Sequence, residues 1–161
     1  MPLLPRDLPA RLRHDGYVGV GHEPQSGVLQ LRVMSVQKIQ CYIPAADEVL
    51  ISIRSHGARA ARVPDGWVDI LFLAFDDTGA LAAPVAAARG MTPSDATAVL
   101  RFVRRNRQRR RLVIQCEAGV SRSRSLASAV AQVLQLPYRW TVLNDDVFDL
   151  VCREAALAAP R

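Results

Sequence analysis

The chain almost lacks lysine. Lys38 is the only one, so the other 20 of its 21 basic side chains are arginines. Arginine presents a planar fork that grips carboxylates and phosphates through two parallel bonds, where lysine offers a point charge. Cysteine is also scarce. Cys41, Cys116 and Cys152 are far apart and odd in number, with no Cys-x2-Cys pair, which argues against a disulfide framework and a zinc ribbon. His14, His22 and His56 are equally dispersed, so neither a metal site nor a cofactor is expected. Long apolar runs are missing as well. The longest, residues 80–88, is interrupted by Pro84 and falls well short of the roughly 20 residues that span a bilayer. Residues 1–13 carry prolines and charges where a secretory signal needs an apolar core. The expectation is a soluble, cytoplasmic protein with reduced cysteines and no membrane partner.

What is present fits one compact domain. Half of the 161 residues are apolar and 22% are charged, enough to bury a core without covalent staples. The net charge is +6, yet seven arginines and no acid lie within residues 101–111, so the rest of the chain sums to −1. The basicity is local. It suggests an anionic substrate or partner instead of a surface that wraps nucleic acid. The run itself admits several uses: steering anions, touching RNA, or forming a solvated helix face with a connector to the next strand. Phe102 is its only aromatic residue and falls on the apolar stripe, so base stacking is unsupported and nucleic acid is not the favoured partner.

Breakers crowd residues 1–25, which read as an irregular arm preceding a domain over 26–161. Alternating apolar residues predict a strand over 28–34. Ser35 then caps a short helix to Tyr42, ahead of Pro44. The β-branched run 48–53 predicts a buried strand, and 67–75 another that ends at Asp76-Asp77. Thr92-Pro93-Ser94-Asp95 is a capping box with proline at the first helical position. Residues 112–114 form a short apolar strand, followed by a helix from beyond Gly119 to about Gln135. Asn144-Asp145-Asp146 opens a last helix. Strands alternating with helices predict an α/β domain with one mainly parallel central sheet flanked by helices on both faces. Ligands of such sheets bind beyond the carboxyl ends of the strands. Cysteines 41 and 152 are expected as small core residues, the alternative being a protective disulfide with Cys116. Arg54, Ser55, His56 and Gly57 follow a strand end and are candidates for the mouth of a site or for a plain loop.

The stretch richest in chemistry is Gln115-Cys116-Glu117-Ala118-Gly119-Val120-Ser121-Arg122-Ser123, running from strand through tight loop into helix. A loop entering a helix amino terminus aims backbone N–H groups at one spot, a nest suited to a tetrahedral dianion. Glu117, Ala118, Gly119, Val120, Ser121 and Arg122 form that candidate phosphate cradle. Gly119 permits the turn. Arg122 grips two phosphate oxygens at once. Cys116 at its base would be favoured as a thiolate and placed for in-line attack on phosphorus. Ser123 would donate a hydrogen bond to the sulfur as it leaves. The plainer alternative makes Cys116 a small buried residue and Arg122 an incidental one at a helix start.

These residues resemble the phosphate-binding loop of the cysteine-dependent protein tyrosine phosphatases, in particular the dual-specificity branch with its pattern Cys-x-Ala-Gly-x-Ser-Arg-Ser. The likeness runs more loosely over residues 28–155 and is closest to small bacterial and phage relatives, through Ile51-Ser52-Ile53 and Phe75-Asp76-Asp77. It implies a dual-specificity phosphatase-like fold. It also implies metal-free hydrolysis of phosphate monoesters through a phosphocysteine intermediate: phosphotyrosine and, less firmly, phosphoserine or phosphothreonine on proteins, or a small phosphomonoester. It further implies an aspartate acid on a loop after a strand. Asp77 is favoured for that role, with Asp76 turned toward the sheet or capping the loop. Gln115 stands where the family usually has histidine, which leaves the thiolate with less support. Two alternatives follow: a phosphate-binding pseudophosphatase without turnover, and an RNA 5′-phosphatase.

Overall fold

The structure is a computed structural model, and it describes residues 27–80, 82–83 and 86–160. The expected arm over 1–25 lies outside the described residues. Four strands form one all-parallel sheet: β1 (Gln30–Ser35), β2 (Glu48–Arg54), β3 (Asp69–Ala74) and β4 (Arg111–Cys116), in the order β1-β4-β2-β3. Four helices accompany them: α1 (Val36–Gln40), α2 (Pro93–Arg105), α3 (Arg122–Val133) and α4 (Asp145–Leu157). The α/β class and the parallel sheet expected from the alternation are both present.

The sheet is covered on two sides because its central strands are apolar on two sides. Along β2, Val49, Ile51 and Ile53 join the large core beneath α2, α3 and α4, while Leu50 points the other way. Along β4, Leu112, Ile114 and Cys116 share the large core, and Val113 faces Leu50, Met34 and Ile39 of α1. This is the two-residue alternation of a strand, applied to both faces of one sheet. Trp67 and Tyr42 stack with ring centroids 5.5 Å apart and close the smaller side. The connection from β1 to β2 advances two places across the sheet, and that from β3 to β4 returns two. Crossovers of one handedness that run in opposite directions fall on opposite faces, and α1 and α2 do so.

Local signals set the helix starts. Ser35 caps α1 through the amide of Lys38, and Thr92 with Asp95 completes the capping box of α2. Asn144 caps α4, accepting from the amide of Val147 at 3.2 Å. Helix α3 stops at Val133, ahead of Pro137, with Gln135 in the left-handed region at φ 55°.

The arginine run is the last part of α2 and the connector to β4, as one of its expected uses had it, and three of its seven arginines pair with acids. Arg111, first in β4, lies in register between Gln30 of β1 and Glu48 of β2. It donates to Gln30 Oε1, to the Tyr42 hydroxyl at 3.0 Å and to Glu48 Oε1. Glu48 is fully buried and also accepts from Tyr42 at 2.7 Å and from the Ala45 amide at 3.2 Å. Arg105 pairs with Asp69 and Arg109 with Asp47, both at 2.8 Å. Asp69, held by Arg105 and Asn106, has its carboxyl below the usual range. These ion pairs gather at the amino ends of the strands. Cys116 is at the far end of β4, about 17 Å away at roughly 3.3 Å per residue, so the steering alternative finds no support at the paired Arg105, Arg109 and Arg111. Arg101, Arg104, Arg107 and Arg110 remain exposed.

Cys41 corrects an expectation: it ends α1 at the surface and is exposed, because that helix is only five residues long and buries Ile39 alone. Cys152 is half-buried against the large core, and its thiol is pushed up by burial and by Asp149.

Arg111→Met would leave the Glu48 carboxylate buried without its cation. An unfolding free energy about 3 kcal/mol lower is expected in urea titration, against about 0.5 kcal/mol or less for Arg105→Met at its exposed pair.

Candidate active site

Strand β4 delivers Cys116, 2% exposed, to the carboxyl edge of the sheet. The five residues after it turn back into α3. Gly119 makes the turn with φ 68°, and a Cβ there would fall 2.7 Å from the amide nitrogen of Ser35 and 2.8 Å from the carbonyl carbon of Met34. The loop therefore rests on the backbone at the end of β1, in a place only glycine fits. The Glu117 carbonyl accepts from the Val36 amide at 3.0 Å, and that of Gly119 from Arg124 Nε at 3.2 Å. Both carbonyls are thus engaged outside the loop.

Helix α3 begins without a side-chain cap. Ser121 occupies the capping position, but its hydroxyl donates to Asp77 Oδ1 at 2.9 Å. The amides of the first turn keep their hydrogen-bonding capacity for an incoming anion.

Arg122 is 4% exposed. Its Nη1 donates to the carbonyl of Phe75 at 2.9 Å and to Ser55 Oγ at 3.1 Å, which fixes the guanidinium against the ends of β3 and β2. Its Nη2 has only Glu117 Oε2 at 3.8 Å, on a side chain 78% exposed, and its buried Nε has no partner among the described residues. One edge of the guanidinium is anchored, and the other has no close partner among the described residues.

Cys116 Sγ lies 3.1 Å from Ser123 Oγ, the thiol donating. Both groups are buried, and when the sulfur is ionised the hydroxyl becomes the donor. The predicted residues Cys116, Gly119, Ser121, Arg122 and Ser123 are thus brought together. Ala118 is exposed, like Glu117, and Val120 is half-buried.

The adjacent aspartates have separate partners. Asp76 accepts from the His56 amide at 2.8 Å through Oδ1 and from the Arg89 amide at 2.9 Å through Oδ2. Both oxygens are committed, and these backbone donors hold its carboxyl below the usual range. Asp76 ties the loop after β2 to the segment ahead of α2, the loop-capping alternative named for it. Asp77 turns to the cysteine loop. Its Oδ1 accepts from Ser121 Oγ at 2.9 Å, from the Gly79 amide at 2.9 Å and from Asn144 Nδ2 at 2.8 Å. Its Oδ2 has no hydrogen bond among the described residues.

Asn144 and Ser55 complete the site. Asn144 reads in sequence only as a helix cap, which it is; its second bond, to Asp77, crosses 67 residues and has no local signature. Ser125 fixes it, accepting from the Asn144 amide at 3.0 Å. Gln115 alternates with Cys116 and faces the α1 side, where its Oε1 accepts from Ser52 at 2.7 Å. Among the described residues no three His, Cys, Asp or Glu side chains converge as metal ligands. No protein-family model matches the chain, and no curated protein matches it significantly.

Gly119→Ala would set a Cβ against backbone at a left-handed residue. A loss of about 2 kcal/mol in stability, with weaker inorganic phosphate binding by calorimetry, is the expected outcome. Asp76 sets an acid limit. Its folded value lies below its unfolded one, near 3.9, so its stabilisation is complete above the unfolded value and disappears as pH falls through the folded one. The melting-temperature gap between the parent and Asp76→Asn should be constant from neutral pH to about pH 5 and close below about pH 4.

Proposed function

We propose that this chain is a cysteine-dependent phosphatase with a dual-specificity phosphatase-like fold, hydrolysing phosphate monoesters through a phosphocysteine intermediate. The observation that supports this best is the half-satisfied guanidinium of Arg122: a buried cation anchored by Nη1, with unbonded Nε and weakly engaged Nη2 on one edge. That edge has the spacing to accept two oxygens of one phosphate. The uncapped first turn of α3 supplies further donors.

In this reading the Cys116 thiolate attacks phosphorus in line, forming the S–P bond as the P–O bond to the leaving group breaks. The leaving oxygen takes the proton carried on Asp77 Oδ2, the oxygen that Ser121, Gly79 and Asn144 leave free. Water then attacks the phosphocysteine and gives a proton to the Asp77 carboxylate. The S–P bond breaks to release inorganic phosphate, with the Ser123 hydroxyl donating to the departing sulfur. Arg122 and the loop amides hold the equatorial oxygens throughout. The substrate is a phosphorylated protein or a small phosphomonoester of the cytoplasm. The described residues include no helix long and apolar enough to cross a membrane. An RNA substrate has less in its favour, since Arg105, Arg109 and Arg111 are paired to Asp69, Asp47 and Glu48 at the opposite end of the strands.

A binding-only reading has one specific observation behind it. Gln115 is bonded to Ser52 and puts no ring beneath the sulfur. Turnover separates the two. Hydrolysis of p-nitrophenyl phosphate is expected, and Cys116→Ser should abolish it while inorganic phosphate still binds. Asp77→Asn should slow an alkyl phosphate by about 10²-fold and the nitrophenyl ester far less, because nitrophenolate leaves without a proton. A Cys116→Ser protein as fast as the parent would sink the mechanism. Saturable phosphate binding with no turnover, switched on by Gln115→His, would establish the binding-only reading instead.

A further inference from the structure

A concavity lies beside the candidate active site. It lies on the α1 side of the sheet, past the carboxyl ends of β2 and β4, and has a volume of about 550 Å³. Arg54, Arg59 and Arg62 line it, with Ser55, Gln115 and Glu117. Two of these also touch Arg122: Ser55 accepts from its Nη1 at 3.1 Å, and Glu117 lies 3.8 Å from its Nη2. Ser55 and Glu117 therefore belong both to the cleft and to the surroundings of Arg122.

Its charge is one-sided, three arginines against one glutamate. Unlike Arg105, Arg109 and Arg111, none of the three lies within ion-pair distance of a carboxylate among the described residues. Arg54 is pre-placed by a hydrogen bond to the Ala58 carbonyl, while Arg59 and Arg62 are exposed and free to close on a ligand. Unpaired guanidinium groups around a concavity attract an anion, and their forks suit phosphate in particular. No aromatic ring lines the cleft, so nothing there would stack on a phosphotyrosine ring or a nucleobase. Its volume is that of a small-molecule site.

We infer that this cleft binds a second phosphate of the substrate, and that the preferred substrate is a small, multiply phosphorylated molecule. One phosphate sits on Arg122 and the cysteine loop; another sits among Arg54, Arg59 and Arg62. The catalytic half of this inference rests on the phosphatase reading above, and the binding half does not.

The test separates them. Fructose 1,6-bisphosphate and fructose 6-phosphate are titrated by calorimetry into the full chain carrying Cys116→Ser, and both are assayed for phosphate release with the parent. The bisphosphate should bind at least about tenfold more tightly. Adding Arg59→Ala and Arg62→Ala should erase that difference. A charge-matched control, Arg104→Ala with Arg107→Ala, should keep the preference. Equal affinity for the two sugars would overturn the inference. So would loss of the preference in the control, or tighter binding of a doubly phosphorylated peptide or of 5′-triphosphate RNA than of the bisphosphate. Absence of turnover on every ester would defeat the phosphatase reading, and the calorimetric comparison would still judge the cleft.

Discussion

A buried guanidinium with half its donors unmet is the constraint around which this end of the molecule is organised. Removing a cation from water costs several kcal/mol unless partners replace the lost hydration. Arg122 recovers part of that cost from the Phe75 carbonyl and the Ser55 hydroxyl. Those contacts bind the start of α3 to the ends of β3 and β2. Its Nε has no partner among the described residues, and its Nη2 has only Glu117 at 3.8 Å. A dianion that meets that edge would supply both charge and acceptors, so the same feature that weakens the empty fold favours the loaded one.

The strand carrying the nucleophile candidate also separates it from its neighbours. Alternation along β4 sends Cys116 toward α3 and Ser123 and sends Gln115 toward Ser52 and the arginine-lined cleft. Two environments of different character thus meet at adjacent residues: a loop of backbone donors on one side, a set of flexible cations on the other. On the acid side, Asp76 and Asp77 repeat the pattern. Consecutive side chains diverge, one pinning loops together and the other facing the cysteine loop.

What could be read from the sequence was local. The capping box at Thr92, the caps at Ser35 and Asn144, the apolar strands and the Cys116-to-Ser123 stretch all carry their physics within a few residues, and each forms where expected. Strand limits moved by at most two residues, because ladders end where partners end. The order β1-β4-β2-β3 was not legible, nor was the Asn144 contact with Asp77, since both depend on residues far apart in the chain. The ion pairs within the arginine run were illegible for the same reason. Its charge is conspicuous in sequence, but the acids that neutralise Arg105, Arg109 and Arg111 lie 36, 62 and 63 residues away. Cys41 was expected inside and lies outside, because a single helical turn has no interior of its own to offer.

The cross-strand bracket of Gln30, Arg111, Glu48 and Tyr42 sits a full strand length from the cysteine. Its placement gives the domain two neighbourhoods that can vary separately. Changes among the paired acids and arginines alter how firmly three strands are clasped and leave the loop amides where they are. On the inferred reading of the cleft, changes in the connection from Arg54 to Arg62 would alter which anions are welcomed and leave the clasp intact. If the phosphatase reading holds, a protein built this way would be retuned for a new phosphorylated compound by loop replacement, with its rigidity maintained at the other pole.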